Sequence, residues 1–283
     1  MRLTTTVSVL LLLVAVIFAP RLARADEADA HFRQALVLKQ SGDLVSALRE
    51  AREATRLRPT HSGAHFTIGS ILRQNGDLEG ALAEFRQVAQ LEPNSAQGWA
   101  MEGAVLLRLG RFDESILALQ HATQIDPHDA ASWGNLGSAL RRAHRPTEAV
   151  DVLAQGVAQV PDDATLLNNY AVALRDAHRD AEGIDVLTRG LARHPTDMTM
   201  EQNLAVALRA ARRWDEAVPH YQHVITAQPT NTDAMYDLAV CLEQLHRAND
   251  AVAAYQQYIT AIRAHDAAAA TRAEERVHAI QGH

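Results

Sequence analysis

Apolar residues along this chain fall into two alternating stripes, and the pair of stripes recurs every 34 residues. Counting units from Ala28, Ser62, Ala96, Ala130, Ala164, Met198 and Thr232, position 11 is leucine throughout: Leu38, Leu72, Leu106, Leu140, Leu174, Leu208 and Leu242. Position 8 is always small, as in Ala35, Gly69, Gly103 and Gly137, and so is position 20, as in Ala47, Ala81, Ser115 and Ala149. Position 24 carries larger groups: Phe85, Leu119, Leu153, Leu187, Tyr221 and Tyr255. At about 100° per residue, positions 4, 7, 8 and 11 share one stripe of a first helix, and positions 20, 24 and 27 one stripe of a second. Small residues at 8 and 20 let the two backbones approach where the helices cross. Proline closes each unit at Pro59, Pro93, Pro127, Pro161, Pro195 and Pro229, with Arg263 in the seventh slot. It stops the second helix and sets the link to the next unit.

Position 15 ends the first helix, where a left-handed residue is wanted. Gly42, Gly76 and Gly110 suit it without strain, and His144, His178, Arg212 and His246 occupy it later. Histidine tolerates that region better than most side chains, though less well than glycine. One helix pair cannot bury its own stripe, so each unit needs its neighbours and the chain reads as an array. Burial of each position-11 leucine contributes about 1.5–3 kcal/mol before entropy is counted. The expected architecture is all-α: an α-solenoid of seven helix–turn–helix units at 28–61, 62–95, 96–129, 130–163, 164–197, 198–231 and 232–265. Residues 266–283 then supply a capping helix and tail, with Ala270, Val277 and Ile280 packed down and Arg272, Glu274, Glu275 and Arg276 toward water. Polar residues break the pattern at Glu102 and Glu201 in core slots 7 and 4, and at His31 and His65 in slot 4. Pro219 falls inside a second helix, where a kink is expected.

In the fourth unit, Trp133, Leu136, Gly137, Leu140, Ala149, Leu153 and Pro161 match the signature slots of the tetratricopeptide repeat family, which the chain resembles from Ala28 to His265. That resemblance implies a right-handed superhelix whose concave groove is lined by positions 2, 5, 6, 9, 12 and 13. Position 6 runs Asn135, Asn169, Asn203 and then Asp237. An asparagine amide offers an acceptor and two donors, matching the C=O and N–H groups of an extended peptide. Position 12 carries Lys39, Arg73, Arg141, Arg175 and Arg209, a basic row that favours a carboxylate-rich partner. The same cations also complement the helix C-termini. Phe66 and Tyr236, at position 5, offer apolar contacts on that surface.

The 27 basic and 34 acidic residues give a formal charge of −7, which excludes a general pull toward nucleic acid or anionic lipid. The single Cys241 excludes an internal disulfide framework. At the N-terminus Arg2, the apolar run Val7 to Ala19, Pro20 and the Ala23-Arg24-Ala25 exit read as an export signal spanning 1–25. The alternative is an uncleaved anchor, the one way this chain would hold a membrane. Cleavage leaves 24 basic against 34 acidic residues, in a periplasmic or secreted protein.

No phosphate loop, nucleophile elbow or H-E-x-x-H motif is present, and no cofactor or metal is implied. His61/His65 and His220/His223 have chelating spacings, but neither pair has a third ligand near in sequence. The expected role is therefore a non-catalytic interaction scaffold of the cell envelope, gripping an extended peptide or protein segment. A self-assembling structural protein is the alternative, and a metal-dependent hydrolase built on His220 and His223 a third.

Overall fold

The computed structural model describes residues 25–282, so the expected export signal lies, but for its last residue, outside the described residues. Among the described residues there are fifteen helices and no strand. The chain divides into two compact units, Met1–Pro127 and His128–His283. The first holds α1 (25–40), α2 (Leu44–Leu57), α3 (Ser62–Gln74), α4 (Leu78–Leu91), α5 (Ala96–Leu109) and α6 (Phe112–Ile125). The second holds α7 (Ala130–Arg142), α8 (Pro146–Gln159), α9 (Ala164–Asp176), α10 (Asp180–Arg193) and α11 (Met198–Ala210). It continues through α12 (Trp214–Ala227), α13 (Thr232–Gln244) and α14 (Ala248–Ile262) to α15 (Ala267–Gln281). Helices α3, α5, α7, α9, α11 and α13 start at the 34-residue interval.

Each turn within a helix pair is closed by the same backbone bond, from the N–H of position 16 to the carbonyl of the position-11 leucine. Examples are Asp77 to Leu72 at 2.9 Å and Arg179 to Leu174 at 2.8 Å. Position 15 is left-handed every time: φ is +85°, +85° and +77° at Gly42, Gly76 and Gly110, and 56–59° at His144, His178, Arg212 and His246. Past the turn, the caps differ. Asp43 and Asp77 accept the backbone N–H groups of Ser46 and Gly80 at the starts of α2 and α4. From α6 onward an arginine sits at that place and its guanidinium reaches the acid three residues on. Arg111–Glu114, Arg145–Glu148, Arg179–Glu182 and Arg213–Glu216 are two-bond forks at 2.6–2.7 Å, and Arg247 meets Asp250 at 2.9 Å.

Position 8 packs under position 24 of its own unit. A methyl group on Gly137 would lie 2.4 Å from Leu153, and one on Gly103 would lie 2.4 Å from Leu119, so glycine is what lets these helices cross. In the first unit Ile68, Leu72, Leu82, Phe85, Val105 and Leu106 form the buried centre. Phe66 joins that centre, its ring 5.6 Å from Phe85 in an edge contact, and is only half exposed to a partner. Cys241 is fully buried, and desolvation pushes its thiol up to about 12.

The polar intruders are paired. Buried Glu102 meets Arg86 at 2.9 Å, and buried Glu201 meets His220 at 2.8 Å and His223 at 3.2 Å. In three units slot 4 and slot 23 hold an imidazole and a carboxylate: His31–Glu50 at 2.7 Å, His65–Glu84 at 2.6 Å and, with the roles exchanged, Glu201–His220. In the fourth unit Trp133 fills slot 4, pressed against Gly156. Helix α12 continues through Pro219 to Ala227. Helix α15 packs on α14, burying Ala269, Ala270, Ala273 and Val277, with Asp266 as its cap.

Candidate functional site

Within the second unit α7 touches α9, α9 touches α11 and α11 touches α13, so these first helices form a continuous face. Asn135, Asn169, Asn203 and Asp237 run along it, each half-buried. The Asn203 amide donates to Asn168 Oδ1 at 2.9 Å, which leaves its own carbonyl available. Asn169 lies over Gly134, where any side chain would press to 2.9 Å from its Nδ2. Among the described residues, the side chains of Asn135 and Asn169 make no hydrogen bond. Two fully available amides and one half-committed amide therefore share a single face. Polar groups this far from full hydration retain capacity that an extended backbone satisfies.

The basic row is largely spent inside the chain. Arg141 Nε meets Asp176 at 2.6 Å, and Arg175 lies 3.6 Å from the same carboxylate. Arg209 Nε stands 3.3 Å from Asp237, which also accepts the Tyr221 hydroxyl at 2.9 Å. Burial holds the Asp237 carboxyl above its ordinary range, with Arg209 and Tyr221 opposing the rise. Burial, reinforced by Asp237, drives the Tyr221 hydroxyl strongly upward, so it stays a donor. Arg73, in the first unit, is exposed and has no carboxylate partner among the described residues. Arg141 and Arg209 thus lie against carboxylates of the following repeats.

A cleft of about 750 Å³ opens at the end of this face, between α11, α13, α14 and α15. Its lining includes Asp233, Tyr236 and Asp237 of α13, Tyr258 of α14, and Arg272, Glu275 and Arg276 of α15. The Tyr236 and Tyr258 rings lie 5.2 Å apart, and Tyr236 also meets Tyr255 edge-on at 5.8 Å. Arg276 grips both oxygens of Glu243 at 2.8 Å, and Glu243 accepts the Tyr255 hydroxyl at 2.8 Å. Of the residues proposed from sequence, Tyr236 and Asp237 belong to this cleft, while Phe66 and Arg73 belong to the other compact unit. Sequence reasoning assigned Arg272, Glu275 and Arg276 only to water, and passed over Tyr258. The change from leucine or phenylalanine to tyrosine at position 24, in Tyr221 and Tyr255, was the available signal that polar chemistry enters here.

His220 and His223, spaced for chelation, instead turn to Glu201. Among the described residues no group of three or more His, Cys, Asp or Glu side chains is arranged to hold a metal ion. His61 is not a surface group: it is buried, and its Nδ1 caps α3 by accepting from Ala64. Among the described residues no helix is long and apolar enough to cross a membrane.

Paired helices at constant length, with one face left polar, define a helical repeat protein. Residues 18–235 match the family described as the cilia and flagella-associated protein 70 C-terminal domain, and residues 208–275 match the tetratricopeptide repeat family. The chain belongs to the tetratricopeptide repeat proteins. No curated protein is similar enough to count as a relative. Among solved structures, a tetratricopeptide repeat protein from Parabacteroides merdae is 12% identical with a TM-score of 0.64, covering 90% of this chain and 99% of its own. YrrB, described as having an unusual peptide-binding site, is 20% identical with a TM-score of 0.55, covering 69% of this chain and 97% of its own. MamA is 15% identical with a TM-score of 0.56, covering 60% and 93%. At these identities the likeness is one of fold.

Proposed function

We propose that this protein is a non-catalytic scaffold of the cell envelope that holds an extended segment of a partner along the first-helix face of its second unit. The observation that carries the reading is the asparagine column: among the described residues the side chains of Asn135 and Asn169 make no hydrogen bond, and Asn203 has a spare carbonyl. Such amides grip a peptide backbone with little regard to its sequence. YrrB, with the same fold, is described as a peptide-binding protein, which supports the choice of ligand class. The envelope setting rests on the N-terminal apolar run alone.

The test begins with a segment captured from envelope extract and then made synthetically. Replacing Asn135, Asn169 and Asn203 together with alanine is expected to weaken its binding about a hundredfold, at roughly 1 kcal/mol for each hydrogen bond. An unchanged affinity, in a variant that melts like the parent, would remove the ladder. Self-association is a second reading, favoured by the exposed apolar side chains Leu36, Val37 and Val45 in the first unit. Concentration-dependent light scattering that disappears when Val37 and Val45 become serine would support it.

A further inference from the structure

The charges around the cleft beneath α15 are not equally committed. Asp237 is held by Arg209 and Tyr221, and Arg276 is held by Glu243. Three ionic groups remain without a hydrogen bond or ion pair among the described residues: Asp233, Glu275 and Arg272. Two free carboxylates and one free guanidinium thus line the cleft, together with the paired rings of Tyr236 and Tyr258. Aromatic ring faces are negative and attract a cation at close range. An anion entering the same cleft would meet those faces and two carboxylates, with only Arg272 in its favour.

We infer that the cleft receives a cationic side chain, arginine or lysine, from the bound segment. Its aliphatic stem lies along Tyr236 and Tyr258, and its charged end meets Asp233 and Glu275. Arg272 borders the same opening and repels a second positive charge, so a single basic residue flanked by neutral or acidic neighbours fits best. The asparagines would hold the backbone of any segment; this cleft would set its register by reading one side chain. The inference rests on the proposed groove reading, since it needs a segment lying on the first-helix face.

The experiment uses the whole protein and three blocked peptides of one glycine–alanine host sequence, with arginine, norleucine or glutamate at the centre, titrated calorimetrically. The arginine peptide is expected to bind about tenfold more tightly than the norleucine peptide, as one cation–π contact with an accompanying ion pair would give. The double substitution Asp233→Asn and Glu275→Gln, at exposed positions, should abolish that preference without changing the melting temperature. Equal binding of arginine and norleucine, tighter binding of glutamate, no binding of any peptide, or a preference that survives the double substitution would each overturn the inference. The asparagine triple variant separates the two readings. If it binds all peptides as the parent does while the arginine preference persists, the ladder fails and the cleft stands. If it weakens every peptide alike and glutamate is preferred, the cleft fails and the ladder stands.

Discussion

In the first compact unit the chain leaves each first helix through glycine, at Gly42, Gly76 and Gly110, and twice enters the second helix through an aspartate cap. In the second unit the same turns are made by His144, His178, Arg212 and His246, followed by arginine forks in place of caps. Yet the bond that closes the turn, from position 16 to the position-11 carbonyl, is 2.8–3.0 Å in both. A non-glycine residue in the left-handed region costs on the order of 1–2 kcal/mol. The turn keeps its shape despite that cost, so its geometry is dictated by how the paired helices pack. Local preference only adjusts the stability.

Slot 4 offers the widest contrast between the two units. Trp133 is buried against Gly156, so Trp133→Ala should cost about 3–5 kcal/mol by opening a cavity. His65→Ala removes a half-buried hydrogen-bonded pair and leaves Glu84 able to rehydrate, a loss on the order of 1 kcal/mol. Urea unfolding of the two variants measures both. Equal losses would show that the imidazole–carboxylate pair is as good a core element as the indole.

The turns come next in size. Gly76→Ala meets no atom within 4 Å, so its cost is conformational, about 1 kcal/mol. His178→Gly should move the other way by a similar or smaller amount, since it relieves the left-handed strain. Loss of stability in both variants would mean that the second unit's side chains earn their place through contacts outweighing strain. Smaller differences separate the caps. Asp77→Ala should cost about 1 kcal/mol, because it orphans the Gly80 N–H. Arg179→Ala, at an exposed and solvent-screened fork, should cost less than Asp77→Ala, and less still in high salt.

Much of this was legible before any coordinates. The small residues at positions 8 and 20 and the invariant leucine at 11 specify a helix pair whatever lies beyond it. The left-handed slot could be read through histidine and arginine because the period located it. Pairings between units could not be read. Nothing in the periodicity says that Arg209 faces Asp237, 28 residues on, or that Arg141 meets Asp176 of the following unit. Such contacts depend on how far each unit is rotated against the next, a tertiary quantity. The same ignorance made the arginines look like a free basic row, and hid Tyr258 and Glu275 as walls of a cleft.

The smallest effect concerns pH, and it contrasts His61, which caps α3, with His65 inside that helix. His65 places Nδ1 on Glu84 at 2.6 Å and Nε2 on the Pro59 carbonyl at 2.9 Å. Both partners are acceptors, so only the doubly protonated ring satisfies them. The Glu84 hydrogen bond accordingly raises the His65 pKa above 6.5, against the opposing effect of burial. His61 instead uses Nδ1 to accept from the Ala64 N–H at 3.2 Å, which needs that nitrogen unprotonated. Burial first, and then Arg58, lowers its pKa below 6.5. The linkage signs are opposite. Stability contributed by His65 is complete below pH 6.5 and is lost as pH rises through the raised folded value. That contributed by His61 is present above pH 6.5 and is lost as pH falls through the lowered one. Unfolding of the first unit should therefore show a shallow stability maximum near pH 6.5. His65→Gln should flatten the alkaline side. His61→Asn, which keeps a capping acceptor, should flatten the acid side and leave the alkaline side intact. If each substitution flattened the opposite limb, the protonation states assigned to the two rings would have to be exchanged.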